Sequence, residues 1–162
     1  MKHTESVVTR QQRRARERAA RKAARRAIAV GALLTAAGTA SAATITVNSL
    51  ADTTVAGDTQ CTLREALANA NGNSDTTGGD CAAGVAGLDI IGFQSGLTGT
   101  ITLGGSELPI ITDSVTINGP GAAIITISGN TVSRIFEVYN SGSTTPINVD
   151  INNLTLTAGQ DA

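Results

Sequence analysis

The sequence predicts an all-β protein built as a solenoid, a stack of short strands closed at its front by one small helix. Three observations point there. The 162 residues contain no Trp, one Tyr and two Phe, so the aromatics that usually fill a thick core are absent, while Ile, Val, Thr and 18 Gly are plentiful. Short β-branched runs recur at intervals of roughly ten to fifteen residues with turn chemistry between them, a spacing that admits a small sandwich or a solenoid. Finally, Val115-Thr-Ile-Asn-Gly119, Ile125-Thr-Ile-Ser-Gly129 and Ile151-Asn-Asn-Leu-Thr-Leu-Thr157 look like imperfect copies of one unit. Ile, Val and Leu can stack in a narrow core without aromatics, which favours the solenoid.

The first element is a leader. The formal net charge of -1 conceals two segments: residues 1–42 carry ten basic residues against two acids (+8), and residues 43–162 carry only Arg64 and Arg134 against eleven acids (-9). On its own, the stretch from Arg13 to Arg26 would read as a basic helix suited to nucleic acid or an anionic membrane. The uncharged run from Ala27 to Ala40, passing into Ala40-Ser41-Ala42, makes it the basic region of a secretory signal peptide spanning 1–42. That run is too short and too weakly apolar for a stable transmembrane span. The Arg25-Arg26 pair is a weak twin-arginine signal in so Arg-rich a segment, so export by the general secretory pathway is expected. The mature chain is expected to begin near Ala43 and to be secreted or held at the cell surface. A body of charge -9 excludes nucleic acid as a partner.

Residues 43–87 read as an N-terminal cap. Residues 44–48 alternate polar and β-branched side chains, as a half-buried strand does. From Cys61 the period changes: Leu63, Ala66, Leu67 and Ala70 fall on one stripe, predicting a short amphipathic helix over 62–70. Thr62 caps it, and Glu65 three residues later completes a Thr-x-x-Glu capping box. Asn71-Gly72 is the expected stop, and a Gly, Asn and Asp loop follows to Gly87. Cys61 and Cys81 are the only cysteines, and for an exported chain one disulfide is the economical reading; free thiols are the alternative for a cytosolic one.

Residues 88–162 read as the first turns of the stack, with further ones expected beyond the last residue. Strands are expected at 89–93, 99–103, 108–111, 114–118, 123–128, 134–138 and 148–157. Their inward candidates include Phe93, Ile101, Ile110, Ile117, Ile127, Val138, Ile151 and Leu156.

Cys61-Thr-Leu-Arg-Glu-Ala-Leu67 closely resembles the Cys-Ser-Leu-Arg-Glu-Ala-Ile motif at the start of many exported bacterial parallel β-helix proteins of the pectate-lyase-like and polymorphic outer membrane protein-like kind. Ile45-Thr-Val-Asn-Ser-Leu-Ala-Asp52 and Val115-Thr-Ile-Asn-Gly-Pro-Gly121 also fit that family, and the resemblance covers about residues 44–157. Thr62 and Leu67 depart from the motif but preserve the hydroxyl cap and the apolar stripe. The resemblance implies a right-handed, single-stranded parallel β-helix whose helix plugs the first turn. Leu63, Leu67 and Phe93 would pack the cap, and a Cys61–Cys81 bridge would pin it.

Function follows less directly. The mature chain has no histidine, because the sole His3 lies in the leader, and no nucleophile, base and orienting group form a recognisable set. Asp89, Glu107, Asp113 and the pair Arg134 and Glu137 are the acids and base weighed for catalysis, and Asp52, Asp58, Asp75 and Asp80 those weighed for calcium; isolated solvated acids and Asx turns explain both groups more simply. The expectation is therefore no catalytic residue, metal or cofactor. The chain reads as the noncatalytic cap and first turns of an adhesin-like surface protein that contacts surface glycans or other cell-surface proteins. The alternative is the front of a secreted polysaccharide lyase or hydrolase whose active site lies further along.

Overall fold

The computed structural model describes residues 14–15, 41–140 and 145–161. The chain divides into two units, Met1–Thr39 and Ala40–Ala162. Of the first, only Arg14 and Ala15 are described, both helical and exposed, so all of the expected leader except Arg14, Ala15, Ser41 and Ala42 lies outside the described residues. No helix among the described residues is long and apolar enough to cross a membrane.

The described residues of the second unit form seven short strands and one helix: β1 (Ala43–Val47), α1 (Leu63–Gly72), β2 (Asp89–Phe93), β3 (Gly99–Thr102), β4 (Val115–Asn118), β5 (Ile125–Ser128), β6 (Val149–Asn152) and β7 (Thr155–Thr157). All pairings are parallel. One sheet runs β1-β2-β4-β6 and the other β3-β5-β7. The register stacks like on like: Ile45 pairs with Ile91, Ile91 with Ile117 and Ile117 with Ile151 in the first sheet, and Ile101 pairs with Ile127 in the second. Period-2 alternation turns these positions inward, and Ile45, Ile91, Ile117, Ile101 and Ile127 are fully buried. Leu63, Ala66, Leu67 and Ala70 of α1 join the same core, with α1 lying against β1 and β2.

This arrangement corrects the predicted fold class. The elongated all-β, right-handed parallel β-helix solenoid does not form; the described chain is a compact parallel α/β domain of a four-stranded and a three-stranded sheet around one internal helix. The pectin-lyase-like and Cys-Ser-Leu-Arg-Glu-Ala-domain assignments, which imply that solenoid, are corrected with it. The physical reason is visible at two expected strands. Pro109 removes a backbone donor from 108–111, and all that remains between 108–111 and 134–138 is an isolated bridge of Ile111 to Val138 with bonds from Leu108 N to Ile135 O and from Ile111 N to Glu137 O.

Pro109 also shifts the parity. Leu108 and Ile111 are buried, whereas Ile110 is 39% and Val138 51% exposed, the reverse of the inward assignment made for these two. The expected strand 148–157 is split. Asn153 adopts a left-handed conformation (φ 56°) and turns the chain from β6 in one sheet to β7 in the other. Gly119 lies against that corner: a Cβ there would collide with the Asn153 carbonyl and the Leu154 side chain.

Candidate functional site

The polar side chains concentrate around α1 and the loops it holds. Thr62 sits in extended backbone ahead of the helix; its Oγ1 accepts from Glu65 N at 3.2 Å, and Glu65 Oε2 accepts from Thr62 N at 3.0 Å. Both members of this capping box are buried, and the Thr62 hydroxyl donates to Thr53 O at 2.8 Å, so the cap also ties the preceding loop. The helix runs through Asn71 and Gly72 and stops at Asn73, whose left-handed backbone (φ 50°) takes the cap position.

Cys61 and Cys81 are joined by a disulfide, with their Cα atoms 4.9 Å apart. Leu63 and Leu67 are fully buried beneath the cap, and Phe93 packs half-buried against the same core. The loop closed by the disulfide is held to the helix by Asn69, a residue the sequence reading passed over. Its Nδ2 donates to Ala82 O at 3.1 Å, and its Oδ1 accepts from Thr76 N and Oγ1 at 2.8 and 2.7 Å. The only sequence signal for this role was a polar residue beside the helix's apolar stripe.

The four aspartates weighed for calcium each have internal donors. Asp80 accepts from three consecutive backbone N–H groups, Gly57 (2.5 Å), Asp58 (3.2 Å) and Thr59 (2.7 Å). Asp75 accepts from Thr77 N and Oγ1 at 2.8 and 2.9 Å; those bonds, the backbone one foremost, hold its carboxyl below the usual range. Asp58 accepts from Gln60 N. Asp52 takes the Arg64 guanidinium bidentately, Nε at 2.7 Å and Nη2 at 3.0 Å, and accepts from Gly104 N as well. Among the described residues, no group of three or more His, Cys, Asp or Glu is placed to hold a metal ion.

Arg64 is the second residue whose importance spacing did not reveal. Besides Asp52 it donates to Glu107 O at 2.7 Å and Ser106 O at 3.0 Å, so one side chain ties the β1–α1 loop and the loop after β3 to the helix. The remaining acids weighed for catalysis fall in three places. Glu107 and Glu137 flank Arg134, accepting at 2.8 and 2.6 Å, and their charge raises the guanidinium above its ordinary value, the Glu107 hydrogen bond foremost. Arg134 and Glu107 of this partly exposed triplet line a cleft of about 210 Å³ between Ser106 and Ser133. Asp113 accepts from Asn73 Nδ2 and Ser114 N beside a larger, open cleft of about 460 Å³, whose walls include Asn71, Thr112, Asn140 and Pro146.

Asp89 is separate from both and fully buried at the start of β2. It accepts from Val85 N at 3.1 Å, and burial pushes its carboxyl above the usual range, with the Val85 and Ala43 backbone N–H groups acting the other way. Among the described residues, no buried side-chain nitrogen or oxygen lacks a hydrogen-bond partner. The polar network is thus closed on itself, and what it presents outward are amide, hydroxyl and carboxylate edges along open clefts. No family model, curated protein or solved structure matches this chain.

Proposed function

We propose that residues 43–162 are a noncatalytic binding module of an exported protein, engaging surface glycans through the open cleft beside Asp113. The observation that carries this reading is the composition of that cleft: Asn71, Asn73, Thr112, Asp113, Ser114 and Asn140 set amides, hydroxyls and one carboxylate around about 460 Å³. Such donors and acceptors suit the hydroxyls of a neutral saccharide, and the volume lies within the usual range for small-ligand sites. The other acids weighed for catalysis or calcium are bound to arginine or backbone donors, which supports binding over hydrolysis. Two carboxylates facing each other across a gap are what glycoside hydrolysis commonly uses, and Glu107 and Glu137 instead share Arg134.

The test is a glycan-array screen of the exported protein followed by calorimetry on the best neutral oligosaccharide, repeated with Asn73→Gly. Glycine keeps the left-handed cap of α1 and removes the amide. Binding weakened roughly tenfold with little change in Tm is expected, as loss of one or two net hydrogen bonds would give. Unchanged binding by the variant, no binding by the parent, or shortening of the polysaccharide would overturn the proposal.

A further inference from the structure

The start of β1 holds an arrangement that proteolysis would transform. Ala43 pairs with Asp89 across the parallel ladder, and its backbone N–H lies near enough to the buried carboxylate to favour the charged form. Ser41 and Ala42 just before it are exposed. We propose that hydrolysis of the Ala42–Ala43 peptide bond during export creates an α-ammonium that ion-pairs with buried Asp89, so that processing locks the first strand into the sheet. This rests on the export reading above, which places the cleavage there.

The chemistry balances without a further reactant. A signal-peptide endoprotease adds one water across the bond; the C–N bond breaks, Ala42 leaves with a carboxylate, and Ala43 keeps the nitrogen as a protonated amine. A neutral N–H beside Asp89 is thereby replaced by a cation at the same atom. The need for a cation is apparent in the surroundings. Among the described residues, Asp89 accepts from Val85 N, has the neutral Ala43 N–H nearby, and feels the charge of Asp113, another acid. A carboxylate buried among neutral donors favours its protonated form; an adjacent ammonium removes that preference.

The sequence supplies a clean reporter. Both lysines, Lys2 and Lys22, precede the cleavage point, so the processed chain has one primary amine, the α-amine of Ala43. The exported protein is purified, its first residue identified by N-terminal sequencing, and its acetylation rate by an amine-reactive ester measured at neutral pH, native and in denaturant. A native rate at least about tenfold below the denatured one is expected, as a rise of one unit in amine pKa would give. Acetylating the amine in denaturant and refolding should lower Tm by roughly 5–10 °C at pH 7.

The pH dependence has a definite sign. In the acetylated protein Asp89 keeps its raised pKa, so its contribution to stability is full below 3.8 and is lost as pH rises through the elevated value. In the processed protein the ammonium counters that rise, so the two Tm curves diverge as pH climbs from 3.8 and converge below it. Asp89→Asn should restore fast acetylation; should that variant fold poorly, acetylation of the parent still decides. A chain beginning at Met1 would overturn the export reading and the pair with it, and a processed start near but not at Ala43 would overturn the pair alone. Ala43 first, with equal native and denatured rates and no Tm shift on acetylation, would overturn the ion pair alone.

Discussion

The two ends of the four-stranded sheet begin from the same residue pattern and finish in different states. At the β1 side, Ile45 and Ile91 are fully buried, roofed by Leu63 and Leu67 of α1. At the β6 side, the last residue of the same ladder, Ile151, is only half-buried, and Leu156 of β7, the register partner of buried Ile127, is 47% exposed. The inward-facing residues are equally apolar. What differs is cover: a strand ladder directs side chains inward, but burial at its edge needs another element laid across it. On the first side that element is a helix fixed by a capping box, a disulfide and the reach of Arg64.

The sharpest way to break this contrast is to truncate the same type of residue on each side. Leu67→Ala should cost about 2–5 kcal/mol in urea unfolding, because the cavity lies in a closed core, whereas Leu156→Ala should cost under about 1 kcal/mol. Equal losses would show that the exposed end is covered in solution. Next in size, replacing Cys61 and Cys81 together by serine should lower stability by about 3 kcal/mol, since the bridge spans 20 residues. Nonreducing peptide mapping of the parent must first recover the Cys61–Cys81 pair. Smaller again, Asp80→Ala should cost about 1–3 kcal/mol by leaving the Gly57, Asp58 and Thr59 donors without their carboxylate, with faster amide exchange confined to that loop.

How much of this was legible beforehand depends on the distance over which each feature is decided. The capping box was legible because Thr62 and Glu65 lie one helical turn apart, and the inward sets of β2 and β4 because alternation is local. The roles of Arg64 and Asp80 were not. Arg64 finds Glu107 O at a separation of 43 residues, and Asp80 finds its donors 21 to 23 residues back, so only the folded chain brings them together. The misassigned Ile110 and Val138 mark another limit: Pro109 broke the ladder and reset which neighbour faced inward. The fold class went astray for a related reason, since repeated phrases reveal that strands pair in parallel but not how many sheets their connections leave. For the candidate cleft, Asn71 and Asn73 read simply as turn residues, and their proximity to Asp113 and Asn140 depends on the packing of α1 against the loops.

The disulfide loop has a consequence for the order of events as the chain folds. Cys61 and Cys81 lie closer in sequence than the residues of any strand pair, and the Asn69 clasp falls within the segment they close. Closing a short loop forfeits less chain entropy than closing a long one. On that ground the helix and its oxidised loop are the first unit able to stand, a nucleus against which the slower non-local strands can then assemble.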